Sequence, residues 1–180
     1  MTRKLLATAA ALLALLAAGC GGSDESSSAS PTDEWAEGFC NAITTWTDSL
    51  QSVTEQFSSP SSLSTSALED AANDVKSSTG TLVDDLRELG APDTESGQAV
   101  KDSIDELSTT LESEVANIQS AADGVSGLTG LPSAISSITT SLAAMGTAFA
   151  STLQALESAD AKGELQTALE DSPACADISG

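Results

Sequence analysis

The chain has 180 residues, with 27 Asp or Glu against six Lys or Arg, a net charge of −21, and neither His nor Tyr. Without His there is no Ser-His-Asp or Cys-His catalysis, no His-ligated metal or haem, and no Glu-x-x-His pair of the di-iron helical proteins. So acidic a surface repels nucleic acid and anionic lipid headgroups.

Arg3 and Lys4 place two positive charges at the start, and residues 5–18 are only Leu, Ala and one Thr. This run is too short to cross a bilayer and fits the apolar centre of an export signal. It closes as Leu15-Leu16-Ala17-Ala18-Gly19-Cys20, small residues that a signal peptidase accommodates, followed by a thiol. The segment resembles the signal and lipobox of bacterial lipoproteins. That class usually carries Leu three residues before the cysteine, where this chain has Ala17, with Leu16 one step earlier. The resemblance covers residues 1–20. It implies cleavage of residues 1–19, a diacylglyceryl group on Cys20, and attachment to the extracytoplasmic face of the cell membrane. A composition low in Lys and rich in Ala, Ser, Thr and Asp is also similar to that of small lipoproteins of high-GC Gram-positive bacteria, which implies no activity. Loss of residues 1–19 takes Arg3 and Lys4 with it. The remaining 161 residues carry four cations and 27 acids, net −23, and are enough for one domain with a core.

Residues 20–32 are expected to form a lipidated tether: from Gly21 on they contain no apolar residue larger than Ala. The domain proper is expected at 33–180. Its first helix is predicted over 33–57, with Trp35, Phe39, Ile43, Trp46, Leu50, Val53 and Phe57 on one face. Ser30, Pro31 and Asp33 form its start signal, and Ser58-Ser59-Pro60-Ser61-Ser62 stops it. The second helix, over 64–89, repeats Leu68, Ala72, Val75, Leu82, Leu86 and Leu89, with a weak Thr79 in the stripe; Gly90 and Pro92 end it. The third, over 94–122 with Asp93 as cap, carries Val100, Ile104, Leu107, Leu111, Val115 and Ile118. Gly124, Gly127, Gly130 and Pro132 break the chain before a fourth helix over 133–157, striped by Ile135, Ile138, Leu142, Met145, Phe149 and Leu156. A short fifth helix over 164–171 holds Leu165 and Leu169. No segment alternates as strands do. Four helices of matched length with short connections predict an all-α, antiparallel up-down four-helix bundle with a short C-terminal helix.

Besides Cys20 only Cys40 and Cys175 remain, and an exported chain with two thiols pairs them. Bonded cysteines need Cα atoms about 4.4–6.8 Å apart. Only an even number of long traverses returns the tail to the opening of the first helix, so the pairing agrees with four long helices.

The carboxylates Glu69, Asp70 and Asp74, then Asp84, Asp85 and Glu88, then Asp102, Asp105, Glu106, Glu112 and Glu114 lack the spacing of a calcium loop. They read as solvated helix faces. No metal, cofactor or catalytic residue is predicted. Residues 124–156 carry no charge. On the fourth helix Ala134, Ser137, Ser141, Ala144, Ala148, Ser151 and Ala155 form a second stripe of small residues, and Gly146 and Ala150 another small pair. That stretch is expected to be either the most buried helix or an association face for a protein partner or a second copy. The residues named for a ligand or partner surface are Trp35, Phe39, Trp46, Thr140, Ala144, Met145 and Phe149. The sequence therefore predicts a non-catalytic, lipid-anchored helical protein that acts by binding or cell-envelope interaction. The alternative is a carrier or sensor that holds an apolar small ligand among its helices.

Overall fold

In the computed structural model of the protein, helix α1 (Pro31–Phe57) begins two residues ahead of the prediction. Ser30 and Asp33 satisfy each other's backbone there. The Ser30 Oγ accepts the Asp33 N–H at 3.1 Å, and Asp33 Oδ2 accepts the Ser30 N–H at 2.8 Å. This reciprocal box, with Pro31 tolerated in the first turn, draws Pro31 and Thr32 out of the expected tether and into the helix. The two bonds from Ser30, first its backbone N–H and then its side chain, hold the Asp33 carboxyl below the usual aspartate range.

The structure describes residues 29–57, 64–127 and 129–176. The predicted signal at 1–19, Cys20, the tether as far as residue 28 and the breaker at 58–62 lie outside the described residues. Among the described residues the chain is all-helical: α1, α2 (Thr65–Leu89), α3 (Gly97–Asp123), α4 (Leu131–Ala159), α5 (Glu164–Asp171) and a 3₁₀ turn at Pro173–Cys175. Each long helix packs on the next in sequence, and α5 and the 3₁₀ turn return to α1.

Two helix starts show backbone chemistry at work. Ser64 caps α2, its Oγ accepting the Ala67 N–H at 3.1 Å. Asp93 does not cap α3. The chain instead turns tightly after Pro92, with the Thr94 N–H bonded to the Pro92 carbonyl at 2.9 Å, and α3 starts at Gly97. A Cβ at Gly97 would collide with the Pro92 carbonyl oxygen, so this start requires glycine. Before it, Gly90 takes φ +65° and ψ −150°, a region open to glycine alone.

The predicted stripes of α1, α2 and α3 form the core, with Leu50 and Leu89 partly buried at its edge; the side chain of Phe57 lies outside what the structure describes. On α4 the inward line is displaced. Leu131, Ala134, Ile138, Ser141, Met145, Thr152 and Leu156 are buried, while Ile135, Leu142 and Phe149 are partly buried. Of the predicted small-residue stripe Ala134 and Ser141 face the interior, Ala144, Ala148 and Ala155 are half-buried, and Ser137 and Ser151 are exposed; α4 packs along α3. Pro132, expected as a breaker, sits in the first turn of α4, which has no use for its missing N–H.

Thr79, the weak point in the α2 stripe, is 1% exposed and accepts the Trp46 indole N–H at 3.0 Å. The hydroxyl occupies an apolar position because the indole needs a partner there. Thr79→Val keeps the shape but strands that N–H, and is expected to lower the unfolding free energy by about 1–3 kcal/mol, with Thr79→Ser losing less. Urea denaturation of the three chains measures it, and equal midpoints would contradict the role given to the hydroxyl.

Candidate functional site

Three elements meet around the cysteine pair. Cys40 lies in the third turn of α1, and Cys175 ends the 3₁₀ turn; the two are joined, with Cα atoms 5.0 Å apart across 135 residues of sequence. The connection between α4 and α5 is held by Asp160, whose Oδ2 accepts the Gln166 N–H at 2.7 Å, and by Gly163 at φ +70°. Beside this junction α1, α4 and α5 leave a cleft of about 360 Å³. Phe39, Leu156, Leu165 and the cysteine pair form its buried floor, with Leu153 and Leu169 at half-burial on its sides. Glu157, Asp160, Gln166 and Glu170 stand at its rim.

The chain matches no protein-family model, no curated protein and no solved structure. The geometry of its own residues is therefore what bears on function.

Most residues predicted as a ligand or partner surface are interior. Trp35 (4% exposed), Phe39 (1%), Trp46 (3%) and Met145 (0%) belong to the core and are almost wholly covered. Trp35 stacks on Phe39 with ring centroids 5.2 Å apart and donates its indole N–H to the Gly90 carbonyl at 3.0 Å. Trp46 meets the half-buried Phe149 edge-on at 6.5 Å, joining α1 to α4 through side chains. Helical spacing put these rings on one face, and that face is the core-facing one. Phe39 alone of the four also lines the cleft.

Thr140 is exposed and Ala144 half-buried. With Ser136, Ala143, Gly146, Thr147 and Ala150 they give α4 an outward strip of small, uncharged residues. The strip is partly self-satisfied: the Thr140 and Thr147 hydroxyls donate to the Ser136 and Ala143 carbonyls, each at 2.9 Å. One face of α4 is thus buried and the other open.

The groove beside Trp46 is a different environment. It is lined by Thr45, Ser49, Ser52, Asp74, Ser77 and Thr81 beside Trp46, Val53 and Leu82, so polar side chains interrupt its apolar wall. The carboxylates of α2 and α3 are exposed, Glu114 partly. Among the described residues no group of three His, Cys, Asp or Glu could hold a metal, and no helix is long and apolar enough to cross a membrane.

Sequence reasoning missed Leu153, Glu157, Asp160 and Glu170 as cleft residues. Leu153 follows Phe149 by four positions, which extends the apolar edge of α4; the rim acids carry no signal until α5 is laid against α1.

The cysteine pair makes a direct prediction. Mass analysis of the protein from its native cells without reduction should show the peptides of Cys40 and Cys175 linked. Cys175→Ser should lower the unfolding free energy by up to about 5 kcal/mol, the chain-entropy value for so long a loop. Free thiols at both positions would contradict it.

Proposed function

We propose that the protein is a lipid-anchored, extracytoplasmic, non-catalytic binding protein, built as an antiparallel up-down four-helix bundle with a short C-terminal helix. Several contacts support that topology. The start of α1 lies beside the end of α2, where the Thr32 hydroxyl donates to the Asp93 carbonyl at 3.2 Å and Trp35 reaches Gly90. Lys162, just after α4, pairs with Glu95 at 2.5 Å, just before α3. The export signal and lipobox resemblance of residues 1–20 support the anchor at Cys20 and the location.

The observation that carries the binding role is the outward strip of α4. A chain of net charge −21 keeps one exposed helix face free of charge. Covering that face desolvates no ion, and its internally bonded hydroxyls lose little on leaving water. Association with a protein partner of the cell envelope, or with a second copy, therefore costs least there. A second reading, a carrier or sensor of a small apolar ligand, is favoured by one observation: the apolar-floored cleft between α1, α4 and α5.

Two expectations follow from the first reading. Cys20→Ala should shift the protein from the membrane to the soluble fraction, or strand it unprocessed; unchanged anchoring would remove the lipid anchor from the proposal. On α4, Thr140→Glu adds a carboxylate on the open face and Ser141→Glu adds one to a side chain 6% exposed. The first should leave the melting temperature within a few degrees of the parent and abolish cross-links formed in native membranes. The second should cost several kcal/mol through an unpaired buried charge. Cross-links that survive Thr140→Glu would rule out the α4 strip as the interface.

A further inference from the structure

The cleft beside the cysteine pair combines two surfaces that rarely share a purpose. Its floor is apolar: Phe39, Leu156 and Leu165 are each 1% exposed as residues and contribute to its wall. Its rim carries Glu157, Asp160 and Glu170, and no Lys or Arg lines it. The chain has few cations to spare for neutralising this rim. Lys162, the nearest in sequence, is paired with Glu95. Arg87 lies between Asp84 and Glu112, Lys101 pairs with Asp105, and Lys76 stands on α2, which lines no part of the cleft. The two rim bonds to Gln166, from its N–H to Asp160 Oδ2 and from its Nε2 to Glu170 Oε1, use neutral donors and leave the negative charge in place. An apolar wall under uncompensated carboxylates is complementary to a molecule with an apolar body and a positive end.

We propose that this cleft binds a small amphipathic organic cation, its apolar body against Phe39, Leu156 and Leu165 and its ammonium among Glu157, Asp160 and Glu170. An anion is repelled by the rim. A neutral apolar molecule gains the floor but leaves the carboxylates facing hydrocarbon. A bare metal ion gains nothing from the floor, and the rim is not a metal cluster. The volume, about 360 Å³, lies at the small end of ligand sites and suits a single ring or short chain bearing an ammonium. This inference deepens the small-ligand reading, rests on it, and is independent of the α4 strip.

The test uses the full exported chain with its disulfide intact and three probes of similar size: benzyltrimethylammonium, its uncharged carbon analogue neopentylbenzene, and phenylacetate. Shifts of the Leu methyl resonances are followed by NMR. The cation should give saturable shifts at Leu153, Leu156, Leu165 and Leu169, weaken as salt is raised, and bind more tightly than the neutral analogue; phenylacetate should not bind. The double variant Glu157→Gln and Glu170→Gln alters exposed side chains, so its fold is expected to persist, checked by circular dichroism. It should weaken the cation about tenfold and leave the neutral probe unchanged. Equal binding of cation and neutral analogue, or a double variant that binds the cation as the parent does, would overturn the cation assignment while the small-ligand reading stood. Absence of saturable shifts with every probe would overturn both.

Discussion

The link between Cys40 and Cys175 holds together parts of the chain that have little else to hold them. α5 has eight residues, too few to persist as an isolated helix, and only Leu165 and Ala168 of it are buried. The 3₁₀ turn that follows has three. Both lie on α1, at the point where the cysteines meet. The covalent bond thus turns a weakly packed tail into a wall, and the cleft between α1, α4 and α5 exists because that wall is fixed. The same bond limits how far α1 can part from the end of the chain when the domain opens, which is where its stabilisation through the unfolded state comes from.

Away from that junction the core is made from modest material. The chain has two Trp and three Phe, and the described rings sit on α1 and α4. α1 and α4 approach each other less closely than sequential neighbours do, and the Trp46–Phe149 contact spans between them. Elsewhere Leu, Ile and Val fill the interior, with Ala and four buried hydroxyl residues, Thr79, Ser108, Ser141 and Thr152, among them. Buried hydroxyls are tolerated because several bond within their own helix: Ser108 to the Ile104 carbonyl at 2.9 Å and Thr152 to the Ala148 carbonyl at 3.0 Å. Such residues enter a core at little cost, since their polar atom brings no unmet demand with it.

That tolerance also explains what could and could not be read from sequence. Where large apolar residues recur, as in α1, α2 and α3, periodicity located the buried face, and α5 lies over the predicted residues. In α4 Ser, Thr and Ala occupy both faces, so periodicity of the larger residues found Ile138, Met145 and Leu156 on the inward line but not Ala134, Ser141 and Thr152, and it included Ile135, Leu142 and Phe149 at the edge. The start of α3 was set by a steric contact between Gly97 and the Pro92 carbonyl, which no local propensity encodes. The rings of Trp35, Phe39 and Trp46 were legible as a group, but a helical stripe does not say whether its far side is another helix or open solvent. The rim of the cleft was not legible, because Glu157, Asp160 and Glu170 acquire a common neighbourhood only after the tail folds back.

The two indoles hold a consequence for how this protein can be watched. With no Tyr in the chain, near-ultraviolet emission comes essentially from Trp35 and Trp46. Each is buried on α1, and each donates its N–H to α2, one at the Gly90 carbonyl where the helix ends and one at Thr79 within it. Emission colour therefore reports wetting of the α1–α2 seam at two heights. Single Trp→Phe replacements would separate the two signals and reveal whether the seam opens at one height before the other. The chain carries an internal optical gauge of its own unzipping, with no label attached.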